Sequence, residues 1–535
     1  MRIFTFDTTL RDGTQGESIS FSVDDKLLIA QKLDDLGIDY IEGGWPGSNP
    51  KDKAFFARAR SLSLKHARLT AFGATRFARN SVETDTNVAE LLAAETSVIS
   101  IFGKSWDFHV NRALGITEEE NLRLISDTVA YLKARGREVV YDAEHFFDGY
   151  LANSAFALRT LEAAKNAGVD VLTLCDTNGG TLPMRLAEIV REVCARFDGV
   201  IGIHTHNDCD LAVANTLVAV EAGATHVQGC MNGYGERTGN ANLCSILANL
   251  ELKLGHTTIG PDKLQQLTAV AGFIAELANL SLRRDQPFVG PSAFAHKGGI
   301  HVSAVMKDSA MYEHIQPELV GNRQRVLLSD LSGRGNVAYK LAQHGLSERL
   351  SESARRELLD RIKRLEYLGY DFETAEGTFE LLVREAAHPE FHPFEIVRYE
   401  VSTKLERART NETVTTASVT LRVGEELRTT NAVGYGPVHA LDICLRECLS
   451  SAFPAIRDVR LLDYKVRVLG AKGGTESKVR VLVEWSDHQR SWSTVGISDN
   501  VIAASWHALV DALRLELMRL AESPERTEEP APQTA

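Results

Sequence analysis

Between Ile3 and Met231 the chain repeats one rhythm: a short β-branched run, a polar residue at its C-terminal end, then apolar positions at helical spacing. The runs Ile3–Thr8, Ile38–Gly43, Leu69–Thr75, Val98–Phe102, Val139–Ala143, Val171–Cys175, Val200–His206 and Ala224–Met231 read as strands. Eight strand–helix units in series predict an α/β fold in which the strands close into a (β/α)8 TIM barrel; an open doubly wound sheet is the competing arrangement. The polar residues favour the barrel. Arg11 and Asp12, Glu42, Arg76, Lys104, Glu144, Asp176 and Thr177, His204 and His206, and Asn232 fall at the strand ends, where such barrels carry their active sites.

The texture then changes twice. Residues 256–392 are mostly helical in pattern, read as linker subdomains that complete the active site, and hold two loop-like motifs: Ala295–His301, and Val320-Gly-Asn322 with Asp330–Arg334 after it. Beyond Pro393, strict alternation runs through Val419/Leu421/Val423, Val466/Val468 and Val479/Val481/Val483/Trp485. Gly436-Pro437 opens a helix, and Ser498-Asp499 is read as the cap of another, whose apolar stripe is Val510, Leu513, Leu517 and Leu520. Strands, helix, strands, helix predict an α+β domain of two similar halves. The expected organisation is a catalytic barrel over 1–255, the linker over 256–392, a regulatory and dimerising domain over 393–522, and a disordered tail over 523–535, rich in Pro and Glu.

Composition narrows the partners. At 535 residues the chain exceeds one compact core, in line with several domains. A net charge of −13 argues against nucleic acid or an anionic membrane, since both call for a basic face. No apolar run has the ~20 residues of a membrane helix, and Met1–Phe6 enters a strand with no signal-peptide pattern. The seven cysteines include no C-x-x-C; Cys444 and Cys448, four apart on a helix, read as packing. A reducing cytoplasm is the expected setting.

The strongest chemical signal is His204-Thr-His206-Asn-Asp208. Residues i and i+2 on a strand face the same side, so both imidazoles can reach one ion. Strands one and eight are neighbours in a closed barrel, which brings Asp12 of Thr8-Thr-Leu-Arg-Asp-Gly13 close to the seventh strand end. A carboxylate and two imidazoles make a mixed site suited to a divalent Lewis acid (Mg, Mn or Zn), although Asp12 also fits a turn or cap residue. Arg11 fits either a structural ion pair or a group that polarises a carbonyl. Asn232-Gly-Tyr-Gly-Glu-Arg-Thr-Gly-Asn240 follows strand eight, with Asn240 as a further oxygen ligand; it lacks the G-x-G-x-x-G spacing of a dinucleotide site. Glu144 and Thr177 fit either buried backbone partners or groups for proton handling and carboxylate binding. His301 and Tyr312 work only if their segment folds over a barrel mouth. Lys104 raises a rival chemistry, a Schiff-base aldolase, which leaves the histidine pair without a role.

In this order, Arg11-Asp-Gly13, His204–Asp208 and Gly235-Glu-Arg-Thr-Gly-Asn240 resemble the metal-dependent barrel family of 2-isopropylmalate synthase, homocitrate synthase and hydroxymethylglutaryl-CoA lyase. Gly298-Gly-Ile-His301, Tyr312 and Leu319-Val-Gly-Asn322 are similar to the synthases' middle segment. The stretch 395–520, with Gly434–Val438 and Gly496–Asp499, is similar to the regulatory domain of 2-isopropylmalate synthases. Gly43–Pro50, Asp142–Asp148 and Cys175–Gly180 look most like the family's (R)-citramalate-forming branch. One departure stands out: some members of that branch carry tyrosine where this chain has Asp142.

The resemblance implies a Claisen condensation of acetyl-CoA with a small 2-oxo acid, pyruvate, on a route to isoleucine. It further implies metal ligation by Asp12, His204, His206 and Asn240, substrate contacts from Arg11, Asp12, Thr177 and Asn232, and catalytic roles for Arg11, Glu144, His301 and Tyr312, with His301 drawn from this copy or a neighbouring subunit. Feedback by isoleucine and a homodimer are the expected properties of the last domain. The rivals are another 2-oxo acid, a lyase or aldolase running the chemistry backwards, and a non-catalytic amino-acid sensor.

Overall fold

The computed structural model describes residues 1–327, 334–343, 345–346, 349–405, 413–469, 477–487 and 490–522. The Asp330 part of the second linker motif and the 523–535 tail lie outside the described residues.

Eight strands are formed where the β-branched runs place them: β1 (Phe4–Asp7), β2 (Tyr40–Gly44), β3 (Arg68–Ala74), β4 (Val98–Lys104), β5 (Glu138–Glu144), β6 (Val171–Asp176), β7 (Val200–Thr205) and β8 (His226–Gly229). They form a closed barrel in sequence order, all pairs parallel, and β1 joins β8 with Asp7 opposite Gly229. Helices follow the strands, and the main helix after each of the first four strands starts on a recognisable side-chain cap. Ser22 and Asp25 make a reciprocal capping box before Val23–Leu36, and Asn49 caps Pro50–Ala59 with proline at its first turn.

The apolar faces of these helices bury the outer sides of the strands, whereas the barrel interior is filled from below. Phe6, Tyr40, Val98, Val140 and Val171 form a separate apolar plug at the N-terminal strand ends, and His226 lies among them against Phe6 and Tyr40. That plug closes one end of the barrel. The polar residues of the opposite end are left as the floor and walls of a cavity.

The chain divides into two compact units: Met1–Phe294 with His314–Gln324, and Ala295–Glu313 with Arg325–Ala535. The first therefore carries helices Leu243–Leu252 and Leu267–Leu277 along with the barrel. The second contains the helices Arg334–Gln343, Glu352–Tyr367 and Glu376–Ala387, followed by two three-stranded antiparallel sheets, Glu395–Leu405/Thr413–Val423/Glu426–Gly434 and Arg460–Leu469/Lys478–Ser486/Ser491–Ser498. Each sheet leads into a helix, Pro437–Ser450 and Val501–Glu522.

Gly436 and Pro437 open the first of these helices as the sequence predicts, and Cys444 and Cys448 are buried under it, their thiols directed at the carbonyls of Ala417 and Val419. The second helix starts differently from the expectation. Its exposed amides are taken by Asn500 Oδ1, which accepts from Ile502 and Ala503, and not by Ser498 or Asp499. Val466 and Val468 do lie on a strand, opposite Val481 and Val479 and so on the face that the long helix packs against, but at 48% and 58% exposure they are left uncovered, because the helix lies over the other two strands of that sheet. Among the described residues no helix is long and apolar enough to cross a membrane.

Candidate active site

The C-terminal strand ends enclose a cavity of about 220 Å³ lined by Arg11, Asp12, Trp45, Phe72, Phe102, Asp142, Glu144, Cys175, Thr177, His204 and His206, with Gln15 and Glu236 at its edge. Asp12 follows β1, His204 is carried on β7, and His206 lies just past its end, bridged to Asn240. One ligand atom from each of Asp12, His204 and His206 falls within 4.8 Å of the others. His204 Nε2 is 3.5 Å and His206 Nε2 3.9 Å from Asp12 Oδ2, and the two Nε2 atoms are 3.3 Å apart. All three residues are buried.

The electrostatics suit a cation. Burial alone would raise the Asp12 carboxyl, but the Arg11 guanidinium, the two imidazoles and the Asn240 amide outweigh it and hold it down at about 2. Burial and the neighbouring His204 push the His206 imidazole down to about 3, against the pull of Asp12. A carboxylate and a neutral imidazole are the protonation states in which these groups bind metal.

A second observation fits the same reading. Asp12 Oδ1, Asn240 Oδ1 and His206 Nδ1 are buried and have no hydrogen-bond partner within the protein, a costly condition unless something else satisfies them. The Asn240 amide is set by the glycines beside it. Gly235 (φ +154°) and Gly239 (φ +100°) let the turn close so tightly that a Cβ at Gly235 would lie 2.2 Å from Asn240 Nδ2. Asp12, His204, His206 and Asn240 thus fit a divalent ion with mixed oxygen and nitrogen donors.

Arg11 serves both readings given for it. Its Nε donates to Glu42 Oε2 at 2.6 Å and its Nη1 to Asp12 Oδ2 at 3.0 Å, and Nη2 is left for a ligand. Burial pushes the Glu42 carboxyl up, while Arg11 opposes the rise. Thr177 Oγ1 accepts the His145 backbone N–H at 2.8 Å, so its own hydrogen is available to donate into the cavity. Glu144 is ion-paired with Lys104. That pairing also answers the aldolase reading: Lys104 is engaged by a carboxylate and lies over the Phe102 ring, which is a poor setting for a free amine nucleophile.

Five of the strand-end residues do not line the cavity: Glu42, Arg76, Lys104, Asp176 and Asn232. The Arg76 guanidinium turns outward to Asp127 and Glu120. Asn232, expected to bind substrate, donates to the Ala271 carbonyl at 2.9 Å and accepts from Gln286 at 3.0 Å, so its amide is already spent on fastening the turn after β8. His301 and Tyr312 belong to the second unit, where their rings stack with centroids 4.2 Å apart, both exposed. Asp208, part of the histidine motif, is paired with Arg237, whose Nη2 also reaches the Thr177 carbonyl, tying three loops of the rim together.

Sequence reasoning missed the aromatic wall of Trp45, Phe72 and Phe102, whose rings pack edge-on and stacked at 5.5–5.7 Å. It also missed Gln228, a fully buried amide in β8 that hydrogen-bonds His204. A glutamine within the run read as strand eight, Ala224–Met231, was the available signal.

Residues 2–274 match the HMGL-like family, residues 288–368 the homocitrate synthase post-HMGL domain-like family, and residues 373–516 the LeuA allosteric (dimerisation) domain. Over 521 residues the chain is 50% identical to the (R)-citramalate synthase of Aquifex aeolicus, covering 97% of this chain and 98% of that one. The (R)-citramalate synthase of Geobacter sulfurreducens is 50% identical over 517 residues, with 97% and 98% covered. The chain belongs to the (R)-citramalate synthase family. The 2-isopropylmalate synthase of Methanocaldococcus jannaschii is more distant, at 30% identity over 514 residues, 96% of this chain and 94% of that one. Among (R)-citramalate synthases, then, this chain carries an HMGL-like barrel with a three-residue cluster at its mouth that could hold a metal ion, followed by a segment that matches the LeuA-type domain.

Proposed function

We propose that this chain condenses acetyl-CoA with pyruvate to give (R)-citramalate and CoA. The observation that carries the reading is the convergence of Arg11, Asp12, Thr177, His204 and His206 on one small cavity. A divalent ion (Mg, Mn or Zn), held by Asp12, His204, His206 and Asn240, would supply Lewis-acid activation of the 2-oxo group. Arg11, fixed at Nε and Nη1, offers Nη2 to the same oxygen as negative charge builds on it. The Thr177 hydroxyl donates to the substrate carboxylate. Trp45, Phe72 and Phe102 wall off the space beside it, which favours a methyl over a longer side chain.

Glu144, ion-paired with Lys104, serves proton handling beside the substrate. His301, steadied by the Tyr312 ring, is the group assigned to removing the methyl proton of acetyl-CoA, from this copy or a second one. Hydrolysis of the resulting thioester makes the condensation irreversible in practice.

The LeuA-type domain is assigned feedback by an end-product amino acid, isoleucine, and a homodimer; exposed Leu461, Leu462, Val466 and Val468 form an apolar strand face that a second copy would cover. Seven free cysteines fit a reducing cytoplasm.

The test is free-thiol release from acetyl-CoA over pyruvate, 2-oxobutyrate, 2-oxoisovalerate and 2-oxoglutarate, with chiral analysis of the product and with isoleucine added. Pyruvate should give the highest kcat/KM and the R product. A preference for 2-oxoisovalerate or 2-oxoglutarate would overturn the substrate assignment, and no thiol release with any acid would overturn the condensation.

A further inference from the structure

Five buried side chains on adjacent strands form one line of hydrogen bonds across the barrel interior. Ser100 Oγ (β4) donates to Asp142 Oδ2 (β5) at 2.7 Å. Gln228 Nε2 (β8) donates to Asp142 Oδ1 at 2.9 Å and to Thr173 Oγ1 (β6) at 3.3 Å. Gln228 Oε1 lies 2.9 Å from His204 Nδ1 (β7). Exposure along the line is 0% for Ser100, Thr173 and Gln228, 4% for Asp142 and 5% for His204. Gly202 makes room for it, since a Cβ there would lie 2.8 Å from Thr173 Oγ1.

We infer that Gln228 and Asp142 are positioning residues that lock His204 in the tautomer able to bind metal; the inference rests on the metal reading of Asp12, His204 and His206. The argument is one of donors and acceptors. Asp142, as a carboxylate, can only accept. The amide of Gln228 must therefore turn its NH2 toward Asp142, because the flipped amide would set two acceptor oxygens 2.9 Å apart in a site closed to water. With the NH2 so placed, Gln228 Oε1 faces His204, and His204 must present Nδ1–H to it. The lone pair is then on Nε2, the atom directed at Asp12 and His206. Partners of this kind on metal-bound histidines fix the tautomer and ring orientation, and losing them typically weakens metal binding about 10- to 100-fold.

The line also gives Asp142 a task. Although Asp142 borders the cavity, both its oxygens are engaged within the barrel wall. Its contribution is to set an amide, which sets an imidazole.

The experiment titrates Mn2+ into full-length, chelator-stripped protein, reading free Mn2+ by electron paramagnetic resonance, with circular dichroism melts alongside. Gln228→Met keeps the shape and removes the amide, and should weaken Mn2+ binding about 10- to 100-fold. Gln228→Glu should weaken it as well, by setting a second carboxylate against Asp142. Asp142→Asn alone should bind within a few fold of wild type, since Asn can offer its oxygen to Gln228 and its NH2 to Ser100. Gln228→Glu with Asp142→Asn restores a donor–acceptor match and should recover affinity to within a few fold. That recovery is a readout a purely structural role would not give.

Wild-type affinity in Gln228→Met, or no recovery in the double variant, overturns the inference. His204→Ala separates the two levels. If it binds Mn2+ as wild type does, the metal reading itself fails; if it loses binding while Gln228→Met keeps it, only the positioning role fails.

Discussion

The Arg11 guanidinium lies over the face of Phe72, with Cζ 3.7 Å from the ring centroid, while its Nε and Nη1 hold Glu42 and Asp12. A flat cation between an aromatic face and two carboxylates has one orientation, and a lysine ammonium cannot reproduce it. Arg11→Lys should therefore keep the fold by circular dichroism but lower kcat for thiol release roughly 100-fold, the cost of losing one directed donor to a developing oxyanion. A change of less than about threefold would show that charge alone suffices there.

Metal and Schiff-base chemistry are separable by two reagents. Lys104 is ion-paired with Glu144, whereas Asp12 Oδ1 and Asn240 Oδ1 are buried without partners. Chelation by EDTA should abolish turnover, and Mn2+, Mg2+ or Zn2+ should restore it. Borohydride added with pyruvate should leave activity and the mass of the Lys104 peptide unchanged; a reduced pyruvyl adduct on that peptide would favour the lysine.

Acid should weaken the barrel through His226. Burial among Phe6 and Tyr40 pushes its imidazole down to about 3, below the ordinary value near 6.5 that it regains on unfolding. Between those values the unfolded chain binds the extra proton, so stability is present above about pH 6.5 and falls as pH drops toward 3, by about 1.4 kcal/mol per pH unit for one group. Urea unfolding at pH 7, 6, 5 and 4 should show a steeper acid loss for wild type than for His226→Phe. Asp7, which burial raises to about 7, titrates with the opposite sign in both proteins and cancels in the comparison. Equal slopes would mean that His226 is not held neutral.

The exposed strand face of the second unit predicts assembly. Val466 and Val468, at 48% and 58% exposure, should be covered by a second copy in solution. Light scattering should give twice the chain mass for wild type, and Val466→Glu with Val468→Glu should halve it while leaving the far-ultraviolet dichroism intact. A dimer that survives both charges must use another face.

What the sequence determined is whatever depends on near neighbours. Short β-branched runs with polar C-terminal ends located the eight strands, and Arg11, Asp12, His204 and His206 were legible because each sits at a strand end, the part of a parallel barrel that opens to ligand. Tertiary structure decided how the polar side chains were spent. Arg76 turns out to Asp127, Asn232 fastens a turn, Lys104 is matched by Glu144, and Gln228 reaches from one side of the barrel to Asp142, 86 positions away. No local spacing encodes those pairings. A hydrogen bond needs atoms about 3 Å apart, and for residues this distant in the chain only closure of the barrel brings them that near.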